Sequence, residues 1–364
     1  MKKIISIIIV SAVLICCASA GFGASAVVTV SDGTYEYMYN SESDSWILYS
    51  YLGEGGDLTL PASYNGTKVT GIYQECFINS AVTSVTIPDG YTSIGNYAFY
   101  GCENLTAVNF PSAIGEIGMG AFAGSGITGA DLSRTTISYV SAYCFKNCKQ
   151  LTSVSLPETV GFIAIEAFCG TGLTEIDIPQ SVSEIGDGAF YETGVLERVT
   201  LHKGIKKIGT SSFENSGLKE INLPEGLESI GDSAFRSDYD LSYLMIPSSV
   251  NYIGAYALYP MSVRGTIHVD CFEGSLADTY CYENFVRDYS TAKEIYGDVD
   301  EDGFVSIYDV TMLQQYLAEL VELDAENPLT MKLLDVNADG VLDADDALVI
   351  QKYVAQMYDE LPIN

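Results

Sequence analysis

The sequence predicts a β-rich solenoid of short strands and turns, about nine repeats long, with a small all-α module at its end. Three observations predict it. An apolar residue returns at a period of about 23 residues, as Val82, Leu105, Ile127, Leu151, Leu173, Leu196, Leu218 and Leu241. In phase with it run an aromatic column (Phe77, Phe99, Phe122, Phe145, Phe168, Phe190, Phe213 and Phe235, with Leu258 last) and a β-branched column five positions earlier, Ile72 to Ile253. Beyond these, two acidic stretches of like spacing, Asp298–Asp309 and Asp335–Asp346, each lead into an amphipathic segment. A single unit of the repeat cannot bury its own apolar face, but stacked units can.

Met1-Lys2-Lys3 and the apolar run Ile4 to Cys17 read as the start of a secretory signal peptide, residues 1–26, with cleavage after Ala20 or Ala26. The run is shorter than the ~20 residues a spanning helix needs, so no membrane span is expected. Ile15 is too bulky to precede a lipidated cysteine. The chain of 364 residues is 48% hydrophobic, enough for a long solenoid and a second domain. Its net charge of -31 disfavours nucleic acid and anionic membranes.

Residues 27–57 precede the first full repeat. Tyr35 to Tyr39 and Trp46 to Tyr51 read as two strands joined by a polar turn. The predicted hairpin covers the open end of the stack; a ligand site built on its tyrosines and Trp46 is the other reading.

Residues 58–285 form the repeats and their C-terminal cap. In Leu151-Thr-Ser-Val154-Ser-Leu156-Pro157, strand alternation points Val154 and Leu156 inward, and Pro157, lacking an amide proton, ends the strand. Ile185-Gly186 makes a second short extended piece and a tight turn. Ala189-Phe190 is predicted to form a short helical turn. The motif LxxVxLP…IGxxAFxxC, from about Leu58 to Val269, resembles the BspA-like leucine-rich repeats. That resemblance implies a curved right-handed solenoid, on a bacterial surface or secreted, serving as a binding module without implying one ligand. Gly274 to Asn284 reads as a short helix.

The seven cysteines beyond the leader, Cys76, Cys102, Cys144, Cys148, Cys169, Cys271 and Cys281, are expected as small buried hydrophobes, with Cys271–Cys281 the one pair to test for a disulfide. On the outward strand face, Glu175, Asp177, Arg198, Glu220, Tyr243 and Met245 are the candidate ligand site; a plain solvated face is the alternative. Arg198, His202, Lys203, Lys206 and Lys207 form a basic knot, either a docking spot for an acidic partner or a solvated loop balancing neighbouring acids. The two histidines, His202 and His268, stand in separate repeats, and no nucleophile has a base at a motif spacing, so no catalytic residue is assigned.

Val286 to Tyr296 reads as a linker. In Asp298-Val-Asp300-Glu-Asp302-Gly303-Phe304-Val-Ser306-Ile-Tyr-Asp309, oxygen ligands alternate as a hard cation requires; Gly303 permits the sharp turn and Phe304 offers a carbonyl. The loop recurs with Asp335, Asn337, Asp339, Val341, Asp343 and Asp346. Two calcium ions are therefore expected. Each position-twelve residue is Asp rather than the EF-hand glutamate. The tandem loops and their helices, from Val310 and from Ala347, resemble a type I dockerin over residues 297–358, with 359–364 as a tail. The resemblance implies a calcium-folded three-helix module that binds a cohesin on a scaffoldin. It also implies contacts at Ile307, Tyr308, Gln314 and Gln315 in the first half and Ala344, Asp345, Gln351 and Lys352 in the second. The whole then reads as a secreted, non-catalytic, cellulosome-type subunit: a leucine-rich-repeat solenoid plus a small all-α calcium-binding dockerin, with a protein or cell-wall ligand on the repeats. An enzyme or enzyme inhibitor carried by the same dockerin, acting in polysaccharide degradation, is the alternative.

Overall fold

The computed structural model describes residues 29–258, 268–272, 274–283, 289–292, 307–318, 334–337 and 341–354. The predicted signal peptide and the tail 359–364 lie outside them. The chain divides into two compact units. One comprises 1–222, 228–242 and 252–267; the other comprises 223–227, 243–251 and 268–364.

The fold is a β-solenoid of about nine turns. In the first unit each coil lays down two short strands, and both sets pair in parallel with their neighbours. Glu175–Asp177 pairs with Arg198–Thr200, which pairs with Glu220–Ile221. The second set runs Phe162–Ile163, Glu184–Ile185, Lys207–Ile208, Ser229–Ile230 and Tyr252–Ile253. Ile163, Ile185, Ile208 and Ile230 are buried, as the β-branched column requires. Val154 and Leu156 are only half-buried, whereas Ile176 and Ile178 at the same positions are buried. Val154 faces Ala130 across the strand pair, and so small a side chain covers little of it.

The phenylalanines form one continuous stack. From Phe77 to Phe235, successive ring centroids lie 4.8–5.6 Å apart with planes 2–12° from parallel. All eight rings are buried, each contributing roughly 1.5–3 kcal/mol.

The segments carrying these rings are not the helical turns expected from Ala189-Phe190. Alternate amides bond to the next coil: Gly188 N to Thr210 O, Phe190 N to Ser212 O and Glu192 N to Glu214 O, at 2.8, 2.8 and 3.1 Å. The intervening amides close three-residue turns, such as Ala189 N to Gly186 O. A helix would direct all of these amides along its own axis. Here residues of positive φ, two before and two after the ring, break the helical path: Tyr143 and Asn147, Glu166 and Gly170. The corner before the Phe213 turn is tight. A Cβ on Gly209 would lie 2.6 Å from the Gly186 carbonyl carbon, so only glycine fits.

Three residues after each ring from Phe99 onward runs a second buried column: Cys102, Ser125, Cys148, Thr171, Thr193, Ser216 and Asp238. Its members are small and hydrogen-bond within or between neighbouring coils, for example Cys148 Sγ to Phe122 O on the preceding coil at 3.0 Å. Asp238 is the exception in charge. Its Oδ1 accepts Ser216 N, Ser216 Oγ and Gly217 N at 2.8, 2.9 and 3.0 Å. Its Oδ2 is buried without a partner. Burial outweighs those three bonds and pushes the carboxyl up to about 7.

The N-terminal hairpin forms as read, with Tyr35–Asn40 antiparallel to Ser45–Tyr51. Ser45–Tyr51 then pairs in parallel with Thr67–Ile72, so the hairpin continues the coil stack. Tyr51 covers the first phenylalanine, its ring centroid 5.1 Å from that of Phe77. Trp46 packs edge-on against Tyr64 at 5.3 Å.

In the second unit, Tyr243–Met245, His268–Phe272 and Tyr289–Ala292 form a three-stranded parallel sheet. Within 286–296, expected as a linker, Tyr289–Ala292 are thus a strand; the edge of His268–Phe272 offers amides and carbonyls that a β-compatible segment satisfies. The helix Leu276–Glu283 begins at a Ser275 cap, whose Oγ accepts Asp278 N at 3.2 Å. Two further helices, Ile307–Leu317 and Ala344–Val354, pack through Val310, Leu313, Leu334, Val336, Ala347, Val349 and Ile350. The third helix implied for this module falls outside the described residues.

Candidate functional site

The candidate residues of the strand positions lie in both units: Glu175, Asp177, Arg198 and Glu220 in the first, Tyr243 and Met245 in the second. Glu175, Asp177, Arg198, Glu220 and Tyr243 are exposed and Met245 is half-buried. Parallel pairing places Glu175, Arg198 and Glu220 side by side on successive coils. They are mutually engaged: Arg198 Nε lies 2.5 Å from Glu220 Oε1, and Asp177 Oδ1 lies 3.0 Å from His202 Nε2. A shallow hollow of about 160 Å³ opens there, lined by Arg198, Val199, Thr200, Leu201, Glu220, Ile221 and Asn222.

The basic knot balances neighbouring acids. Lys207 pairs with Glu184 at 2.7 Å and Lys206 with Glu228 at 3.6 Å. The Glu184 bond holds the Lys207 ammonium above its ordinary range. Tyr243, in the second unit, donates to Asp270 Oδ2 at 2.8 Å and stacks on His268, whose Nε2 is 2.9 Å from Asp270 Oδ1. Burial, then the Asp270 bond, raises the Tyr243 phenol to about 12. His268 and Asp270 had no signal in the sequence, because the repeat pattern frays before them. Asp238 did have one: an acid in a register of small neutral residues.

All seven described cysteines are buried. Burial lifts the Cys148 and Cys169 thiols to about 11, which suppresses reactivity. Cys271 and Cys281 are present as free, buried thiols.

Of the acidic loops, residues 298–306 lie outside the described residues, as do Asp339 and the side chains of Ile307, Tyr308 and Asp309. The second loop is described at Asp335, Asn337, Val341, Asp343 and Asp346. Asp346 is fully buried; its Oδ1 accepts Asn337 N at 3.3 Å and its Oδ2 accepts Asp343 N at 2.9 Å. It thereby fastens loop positions three and nine to the start of the helix Ala344–Val354. Among the described residues no three acidic, histidine or cysteine side chains converge as a metal cluster. The donor set of the loop is nevertheless all oxygen, and Asp346 is a fully buried carboxylate bonded to the amides of Asn337 and Asp343, so these residues fit a hard divalent cation. Gln314, Gln315, Ala344, Asp345 and Gln351 are exposed on the two helices and Lys352 is half-exposed.

A parallel solenoid joined to a pair of acidic-loop helices defines a class of non-globular repeat protein with an appended helical module. The chain belongs to the BspA type leucine rich repeat family: that repeat region matches residues 70–194 and 161–276, and the type I dockerin domain matches residues 296–355. No curated protein matches the chain. Similar solved structures include a leucine rich cell surface protein from Faecalibacterium prausnitzii, 22% identical, covering 69% of this chain and 96% of that one, with a TM-score of 0.35. The T. pallidum leucine rich repeat protein is 21% identical over 65% and 96%, TM-score 0.38. The pneumococcal vaccine antigen PcpA is 16% identical over 73% and 97%, TM-score 0.42. Among the described residues no helix is long and apolar enough to cross a membrane.

Proposed function

We propose that this chain is a secreted, non-catalytic subunit of a cellulosome-type assembly. Its dockerin plugs into a cohesin of a scaffoldin, and its repeats display a surface for a protein or cell-wall ligand. The observation that carries the reading is the pairing of two interaction modules, the repeats over 70–276 and the dockerin over 296–355, in one chain.

In this reading the second loop would hold one calcium ion through Asp335, Asn337, Asp339, the Val341 carbonyl, Asp343 and Asp346. The first would hold another through Asp298, Asp300, Asp302, the Phe304 carbonyl, Ser306 and Asp309. The ions supply the charge that lets these carboxylates pack. Glu175, Asp177, Arg198, Glu220, Tyr243 and Met245 are the surface proposed for the repeat ligand.

The cohesin contacts are unlike in the two halves. Ile307 and Tyr308 offer an apolar and aromatic anchor of the kind that dominates interfaces. Ala344 and Asp345 would instead bring an exposed charge into the same pocket if the module turned about its pseudo-two-fold axis, and a desolvated unpaired charge is strongly unfavourable. One orientation should therefore prevail. Cohesin titration of Tyr308→Ala and Lys352→Ala tests this: a large loss is expected for the first and little for the second. Two small, comparable losses would mean that the orientations are interchangeable.

A further inference from the structure

Three coils carry the same small clasp, and one of the three is built from an acid. In each, the residue three after the phenylalanine meets a serine at the same register of the preceding coil. Cys102 Sγ lies 3.4 Å from Ser80 Oγ, Cys148 Sγ lies 3.5 Å from Ser125 Oγ, and Asp238 Oδ1 lies 2.9 Å from Ser216 Oγ. The cysteines reach further. Each thiol donates to the carbonyl of the preceding phenylalanine, Cys102 to Phe77 O at 2.9 Å and Cys148 to Phe122 O at 3.0 Å. The carbonyl at that register for Asp238 is that of Phe213, and an ionised carboxylate has no hydrogen to give it.

The two oxygens of Asp238 are treated differently. All three donors, Ser216 N, Ser216 Oγ and Gly217 N, converge on Oδ1, while Oδ2 is buried and receives none. A bare anionic oxygen inside the stack is costly, and a neutral hydroxyl facing a carbonyl is not. The charged groups nearby are engaged elsewhere or turned outward. Arg236 lies 3.7 Å from Glu214 and Lys219 lies 2.5 Å from Glu197, while Tyr239 and Asp240 are exposed. In the following coil, described to Leu258, Tyr252 donates to Asp232 Oδ1 at 3.2 Å and Tyr256 is exposed.

We infer that Asp238 is a proton-operated clasp between two coils. Protonated on Oδ2, it donates to Phe213 O as Cys102 and Cys148 donate to Phe77 O and Phe122 O. When that proton passes to solvent the bond is lost, and the turn 236–241 loosens from residues 216–218. The register of the three clasps carries the inference. Burial, which pushes the Asp238 carboxyl up to about 7, places the change near neutral pH. The thiol clasps do not respond there, since burial raises Cys102 and lifts Cys148 to about 11, so both keep their hydrogen. One junction of the stack thus senses pH while its two counterparts hold.

The test uses the full chain with calcium and follows amide hydrogen exchange at pH 5 and pH 8, corrected for the intrinsic pH dependence of exchange. Protection of the Ser216 and Gly217 amides should fall at least about tenfold at pH 8, while that of Ser80 and Ser125 holds. Asp238→Asn sets an N–H where the acid has its O–H and should keep full protection at both pH values. Asp238→Cys rebuilds the thiol clasp and should do the same, so either variant serves if the other fails to fold. The infrared difference between wild type and Asp238→Asn at pH 5 should show a protonated carboxyl. A carboxylate signal there overturns the proposal. So does protection that is unchanged by pH in the wild type, that falls equally in the variants, or that falls alike at all three clasps.

Discussion

The coils and the acidic-loop helices hold themselves together in opposite ways. The coils carry an unbroken stack of buried phenylalanines, with isoleucines on the second strand and parallel ladders on both sides. Their stability is spread over many equal, neutral contacts. The helices Ile307–Leu317 and Ala344–Val354 share a described core of only seven buried apolar residues, next to a fully buried carboxylate, Asp346. So small a core leaves little margin over the entropy of ordering the chain. On the proposed reading the second region therefore depends on the ions it binds, and the first does not.

Chelation should produce the largest difference between them. Removing calcium should unfold residues 297–358, since the free energy of binding a structural ion is folding free energy. Limited proteolysis with and without chelator reads this directly: cuts should fall in the acidic-loop region while the coils stay protected. Equal protection of both regions would remove the contrast.

Next in size is a break in the aromatic stack. Phe168→Ala opens a hole between Phe145 and Phe190, 5.6 and 5.4 Å away on either side, and should cost about 3–5 kcal/mol in urea melts. A loss well below ~1 kcal/mol would show coils that repack freely, unlike the rigid column described above.

The smallest effect sharpens the claim that the coils rely on neutral contacts. Asp238 ionises near the ordinary carboxylate value of about 3.8 when unfolded but at about 7 in the fold. Between those values the folded chain binds more protons, so stability falls as pH rises through that window and levels off above it. Asp238→Asn keeps a carbonyl oxygen for Ser216 and Gly217 and removes the charge. It should be close to wild type near pH 4 and more stable at pH 8, by roughly 1–3 kcal/mol. Parallel urea melts at both pH values check this; the same pH slope in both proteins would place the titration elsewhere.

The pair of acidic loops was legible because oxygen-bearing side chains recur at covalently fixed offsets: Asp335, Asn337 and Asp343 are read from spacing alone. The coil period was legible because every unit repeats the same inward residues, Ile163, Ile185 and Ile208 among them. What escaped the letters depended on a neighbouring coil. Ala189-Phe190 suggests a helical turn by local propensity. Only when the next coil offers Thr210 O and Ser212 O do alternate amides leave the helical path, with Glu166 and Tyr143 held at positive φ. Tyr289–Ala292 looked like polar linker until an open strand edge at Val269–Phe272 gave it a partner. That Arg198, Lys206 and Lys207 balance neighbouring acids was one reading of the sequence; only coil stacking named the acids as Glu220, Glu228 and Glu184. The sequence by itself thus determined the repeat, its buried columns and the cation-loop spacing, since each is a property of residues near one another in the chain. Only the tertiary structure decided the turn ladder and the charge pairing, because each needs two coils in contact and coil-to-coil geometry is not written within any single unit.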